Sequence, residues 1–160
     1  MNIDSTLLGA LIGAGVTLAA VVLTAVVNYH FTQKQENLKL RKQKKEELYQ
    51  AFIEMDRAMY LYLLCINNAF YKSEFKLNEI DEKRDKAITK IEMISTIYFL
   101  DLKIENVMDV ISDFEQNDVY YIRPDRYKGE LSAKDLASAT AKYHLIEQAV
   151  AAIKVAIHKL

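Results

Sequence analysis

Residues 117–130, NDVYYIRPDRYKGE, gather this chain's recognition chemistry into one short stretch. Tyr120, Tyr121 and Tyr127 offer flat rings on which a base can stack, and Arg123, Arg126 and Lys128 offer cationic donors for phosphate oxygens. Pro124 is the only proline and Gly129 the only glycine after Gly15, so the stretch reads as a loop rather than as helix. Such a combination suits a nucleotide or another anion. The same residues equally fit a crossover between bundle helices, with the tyrosines covering the core edge and the arginines pairing with Asp118 and Asp125. A second grouping, Asn67, Asn68, Tyr71 and Lys72, offers amides, a ring and a cation at the far end of a long predicted helix.

Catalytic chemistry has no comparable cluster. The sequence contains no glycine-rich phosphate loop, no H-E-x-x-H, no paired-cysteine metal motif and no G-x-S-x-G. Cys65 stands alone, which excludes an intrachain disulfide and a cysteine-built zinc site. His144 and His158 share a helix face but lie roughly 21 Å apart along it, too far to hold one metal ion. No catalytic residue, metal ligand or cofactor is assigned, and the expectation is a protein that is not an enzyme. A net charge of −1 excludes a globally basic nucleic-acid binder but is compatible with a local basic patch. Because the basic run of residues 31–45 directly follows the apolar N-terminal run, no DNA or RNA polymer is expected as a partner.

Helices must position these groups. A composition of 51% hydrophobic and 27% charged residues is too apolar for a disordered chain. Between Gly15 and Pro124 there is neither glycine nor proline, which favours long helices. Leu48, Phe52, Met55, Met59, Tyr62, Ile66 and Ala69 recur at alternating spacings of four and three, a heptad seam. A second helix is predicted from near Asn78, carrying Ile80, Ala87, Ile91, Ile94 and Tyr98. Asp101 is read as an N-cap or kink, followed by a face of Ile104, Val107, Met108, Ile111 and Phe114. Ser132, with Asp135 three residues on, caps a last helix whose seam is Leu136, Ala139, Tyr143, Ile146, Val150, Ile153, Ile157 and Leu160.

The N-terminal segment differs in kind. Residues 7–27, LLGALIGAGVTLAAVVLTAVV, form an uncharged run of 21, or about 31 Å as a helix, against a hydrocarbon core of about 30 Å. The residues before the run include Asp4 and no lysine or arginine, unlike the basic start of a signal peptide. Lys34, Lys39, Arg41, Lys42, Lys44 and Lys45 follow it against Glu36 alone. The positive-inside bias then places the C-terminal part in the cytoplasm. Gly9, Gly13, Thr17, Ala20, Thr24 and Asn28 fall on one side of this helix, a face suited to close helix–helix packing. The expected organisation is all-α: a transmembrane helix with a short external N-terminus over residues 1–30, a basic juxtamembrane stalk over 31–45, and an oligomerising helical bundle over 46–160.

This layout of apolar anchor, lysine-rich stalk and tyrosine-rich helices resembles the small membrane effectors of bacterial anti-phage defence. Among them it is most similar to the membrane-anchored effectors of type III CRISPR systems that answer to cyclic tetra-adenylate. The resemblance covers the whole chain in architecture and size and rests on no signature motif. It implies a homotetramer, anchored once in the bacterial inner membrane, that senses a cyclic oligonucleotide messenger and then perturbs the lipid bilayer without catalysis. A membrane-tethered scaffold and a holin-like or superinfection-exclusion protein without a small-molecule ligand are the alternatives.

Overall fold

The computed structural model describes residues 5–127 and 130–160, with side chains described except those of residues 5–8 and Leu11. Lys128 and Gly129 lie outside the described residues. Among the described residues four helices account for the fold: α1 (Ser5–Phe70), α2 (Asn78–Tyr98), α3 (Glu105–Asn117) and α4 (Ala133–His158), with a 3-10 turn at Val119–Ile122 between the last two. No strand occurs among the described residues. The chain divides into two compact units, Met1–Lys42 and Gln43–Leu160.

In the first unit α1 is long and apolar enough to cross a membrane, and its apolar side chains are not buried against other parts of the chain. Leu18, Val21, Leu23 and Val27 are each more than 60% exposed, a distribution that water disfavours and lipid accepts. Thr17 and Thr24 donate their hydroxyl protons back to the carbonyls of Gly13 and Ala20, both at 2.8 Å. Their donors are thus satisfied within the helix, leaving a small-residue surface.

The second unit is an up-and-down bundle. Along α1, Lys45 Nζ donates to the His158 carbonyl at 2.9 Å, and Tyr60 packs near Tyr143 with centroids 5.8 Å apart, so α4 runs antiparallel to α1. Lys44 lies over the Tyr98 ring at 5.9 Å while Tyr62 bonds Asp81, which makes α2 antiparallel to α1 as well. Near its C-terminal end α3 meets Arg84 through Glu115 and Lys142 through Asp113.

The heptad seam forms the centre of this unit: Leu48, Phe52, Met55, Met59, Tyr62, Ile66 and Ala69 are all at most 2% exposed. Ile91, Ile94, Ile111, Phe114, Ile146 and Val150 close around it. Each such side chain contributes about 1.5–3 kcal/mol relative to leaving it in water. Leu160, the last position of the predicted α4 seam, is instead 37% exposed, because the helix ends at His158.

Helix ends follow partly from local chemistry. Ser132 accepts from the Asp135 amide while the Asp135 carboxylate accepts from the Ser132 amide, a reciprocal capping box. Asp101 does not cap α3; it sits exposed in the turn after α2, and Ile104 holds the cap position without a side-chain bond. The reason is burial. Phe99 and Leu102 insert into the core at 3% and 8% exposure, and the Leu102 amide donates to the Phe99 carbonyl, so a tight turn forms before α3 begins.

Candidate functional site

The stretch after α3 folds back over the end of the bundle and walls a cavity of about 590 Å³. Tyr120, Tyr121, Arg126 and Tyr127 line it from the loop, with Ile66 of α1 beside them. Asn117 and Asp118 enter from the end of α3, and Glu130, Leu131, Asp135 and Ser138 from the start of α4. Four of the six predicted binding residues thus meet on one concave surface.

The rings differ in how they are held. Tyr127 is fastened: its hydroxyl donates to the Ala69 carbonyl at 2.7 Å, and its ring meets Phe75 edge-on with centroids 5.8 Å apart. Tyr120 and Tyr121 meet edge-on at 5.7 Å and remain 41% and 56% exposed. The guanidinium carbon of Arg126 stands 5.3 Å from the Tyr120 centroid, within cation–π range.

Arg123 sits apart from the cavity lining. Its two terminal nitrogens clasp the Asp81 carboxylate at 2.7 and 3.0 Å, and the Tyr62 hydroxyl donates to the same carboxylate. This bidentate pair ties the loop to α2 across 42 positions of sequence. Of the pairings expected for a simple crossover, Arg126 does reach Asp125 at 3.3 Å. Asp118 is taken instead by Lys142 of α4 at 3.1 Å, which also holds Asp113 at 2.9 Å.

Three carboxylates also line the cavity, two of which the sequence pattern read only as an ion-pair partner (Asp118) and a capping group (Asp135). Asp118, Glu130 and Asp135 line it beside one guanidinium among the described lining residues, with Asp118 paired to Lys142 and Asp135 bonded to Ser132, so the interior is aromatic and mildly acidic. Burial pushes the Asp118 carboxyl above its ordinary range, with Lys142 opposing. Asp135 goes the other way, its carboxylate held low by the backbone and side-chain hydrogen bonds of Ser132. Asp118 and Glu130 lie within the 117–130 stretch and Asp135 in the Ser132 cap, and the fold of the stretch against the start of α4 brings all three to one cavity. Their chemistry suits hydrogen-bond donors, such as the amino edge of a base, rather than phosphate oxygens.

Comparison with protein-family models, curated proteins and solved structures finds no match. The site therefore rests on its own geometry.

The second sequence grouping has a different place. The Ser73 amide donates to the Asn68 carbonyl at 2.8 Å and the Lys72 amide to the Ala69 carbonyl at 3.1 Å, closing α1 with a Schellman arrangement. Lys72 occupies its left-handed position with φ of 57°. Asn68 and Lys72 thus serve the helix end through their backbones.

Proposed function

We propose that this chain is a non-enzymatic membrane effector of antiviral defence. Residues 7–27 cross the bacterial inner membrane once, the C-terminal unit lies in the cytoplasm, and a bound cyclic oligonucleotide such as cyclic tetra-adenylate triggers perturbation of the bilayer. The observation that carries the ligand assignment is the convergence of Tyr120, Tyr121, Arg126 and Tyr127 on one cavity. In this reading a base stacks on the tyrosines with its exocyclic amine toward the carboxylates. The phosphates stay at the rim, where Arg126 is 56% exposed and Lys128 follows in sequence. Keeping charge outside resolves the mismatch between an acidic interior and an anionic ligand.

A cyclic ligand with repeated units matches a symmetric homo-oligomer, with a tetramer favoured, because each copy presents the same contacts once. Exposed apolar side chains support self-association: Leu145 and Val155 on α4, and Met93 and Ile97 on α2, are each at least half exposed. Those same faces favour the second reading, a membrane-tethered scaffold whose partner is another protein.

Titration calorimetry of the full-length protein in lipid nanodiscs with cyclic tetra-adenylate separates the two. Saturable binding that Tyr120→Ala and Arg126→Ala weaken by about tenfold or more is expected, the scale of a lost stacking or charge-assisted contact. Absence of binding retires the messenger and leaves the scaffold.

A further inference from the structure

The cationic groups of the loop are held with unequal strength. Arg123 is locked by a two-pronged bond to Asp81 that also receives the buried Tyr62. Among the described residues, the Arg126 side chain has an exposed ion pair with its neighbour Asp125 and its stacking contact with Tyr120. Both are weak contacts in water. Yet Tyr120 lines the cavity, and its ring is among the surfaces an entering aromatic group would use.

We propose that Arg126 is the gate of the tyrosine cavity. In the free protein its guanidinium occupies the stacking surface of Tyr120, and a nucleotide displaces it, giving the ring its base and the guanidinium its phosphate. This rests on the nucleotide reading above and adds a specificity rule to it. Arg126 opposes aromatic ligands that lack phosphate, since they must expel the guanidinium with nothing to offer it. It favours those that carry phosphate, since the expelled group is recaptured by an oxygen. Both classes of ligand pay the same cost of displacing the guanidinium, and only a phosphate-bearing one regains it, so nucleosides bind below the affinity an uncovered ring would give them.

The consequence is a crossover that a merely structural arginine would not produce. Arg126→Ala uncovers Tyr120, so affinity for adenosine should rise roughly two- to fivefold, the scale of an exposed cation–π contact. The same change should weaken cyclic tetra-adenylate about tenfold through the lost charge-assisted bonds. Arg126→Lys keeps the charge but not the planar stacking group, so it should gain adenosine affinity while retaining most of the nucleotide affinity.

The experiment is calorimetric titration of full-length wild type, Arg126→Ala and Arg126→Lys in nanodiscs, each with adenosine and with cyclic tetra-adenylate. Opposite changes for the two ligands support the gate. Equal weakening of both, or adenosine binding unchanged in both variants, overturns the gate while leaving the nucleotide reading intact. Wild type that binds neither probe overturns the reading and the gate together. Should the alanine variant fold poorly, the lysine variant alone decides through its adenosine affinity.

Discussion

Two partly buried ionic contacts pull in opposite directions on the fold. Burial raises the Asp81 carboxyl, but the hydrogen bonds from Arg123 and Tyr62 outweigh it and hold the pKa below the ordinary range. For Glu115 burial prevails over Arg84 and Arg123 and pushes the carboxyl up. Its Oε1 stands 3.3 Å from Arg84 Nε, and neither atom has a well-formed hydrogen bond. A raised carboxyl holds its proton in the folded chain at a pH where the unfolded chain has lost it, so stability falls as pH rises through that window. A depressed carboxyl gives stability that is lost as pH falls through its folded value. Stability should therefore rise as pH is lowered from neutral through the elevated ranges of Glu115 and Asp118, where these carboxyls gain protons in the folded chain first. It should drop again at pH below the ordinary carboxylate range, as Asp81 and Asp113 protonate. Urea midpoints measured across this range test the profile. Glu115→Gln should flatten the upper limb, and an equally steep limb in that variant would contradict the assignment.

At the scale of elements, the end of α1 carries a local conflict. Lys72 adopts φ of 57°, a conformation that costs a side-chain-bearing residue about 1–2 kcal/mol and glycine little. The cost is tolerated because the turn delivers Phe75 and Leu77 to the core, where Leu77 is 5% exposed. Lys72→Gly should stabilise the protein by about 1 kcal/mol, read as a higher denaturant midpoint with unchanged slope. No gain would mean that the lysine side chain makes a compensating contact. The two helix starts after α2 show how differently boundaries are determined. At Ser132 the capping box is local, so sequence spacing suffices to place it. At α3 the start is set by Phe99 and Leu102 reaching the core, and Asp101, despite its capping chemistry, is left in the turn before the boundary.

For the molecule as a whole, the proposed assembly depends on the small-residue side of the N-terminal helix. A Cβ built at Gly13 meets nothing within 4 Å in the chain itself, and the same holds for Gly9. The open space at this Cβ makes Gly13→Leu a probe of neighbouring copies. The expected outcome is a clear loss of disulfide crosslinking between copies with cysteine at Thr17 or Thr24, with the helical signal unchanged. Crosslinking that persists at these positions would move the contact to another side of the helix. The exposed stripe of Leu145, Ala152 and Val155 belongs to this scale too. α4 is apolar on its buried seam and again on part of its outer surface, a pattern that a helix facing only water does not need.

What the sequence determined by itself is the part governed by period and local bonding. The α1 and α4 seams, the start of α2 at Asn78, the Ser132 cap and the apolar N-terminal run follow from spacing and side-chain type, because each depends on residues within a few turns of helix. What only the tertiary structure decided is which distant groups meet. The six binding candidates are equivalent as a loop sequence, yet Arg123 is claimed by Asp81, Tyr127 is fastened to Ala69, and Tyr120, Tyr121 and Arg126 remain available beside the cavity. Asp118, Glu130 and Asp135 are close in sequence, but which of them keeps a free carboxylate face is set by Lys142 of α4 pairing with Asp118 and Ser132 bonding Asp135. Helical periodicity encodes which face is buried, but it carries no record of the partner across the core, and that partner sets both the charge of the cavity and the freedom of its arginine.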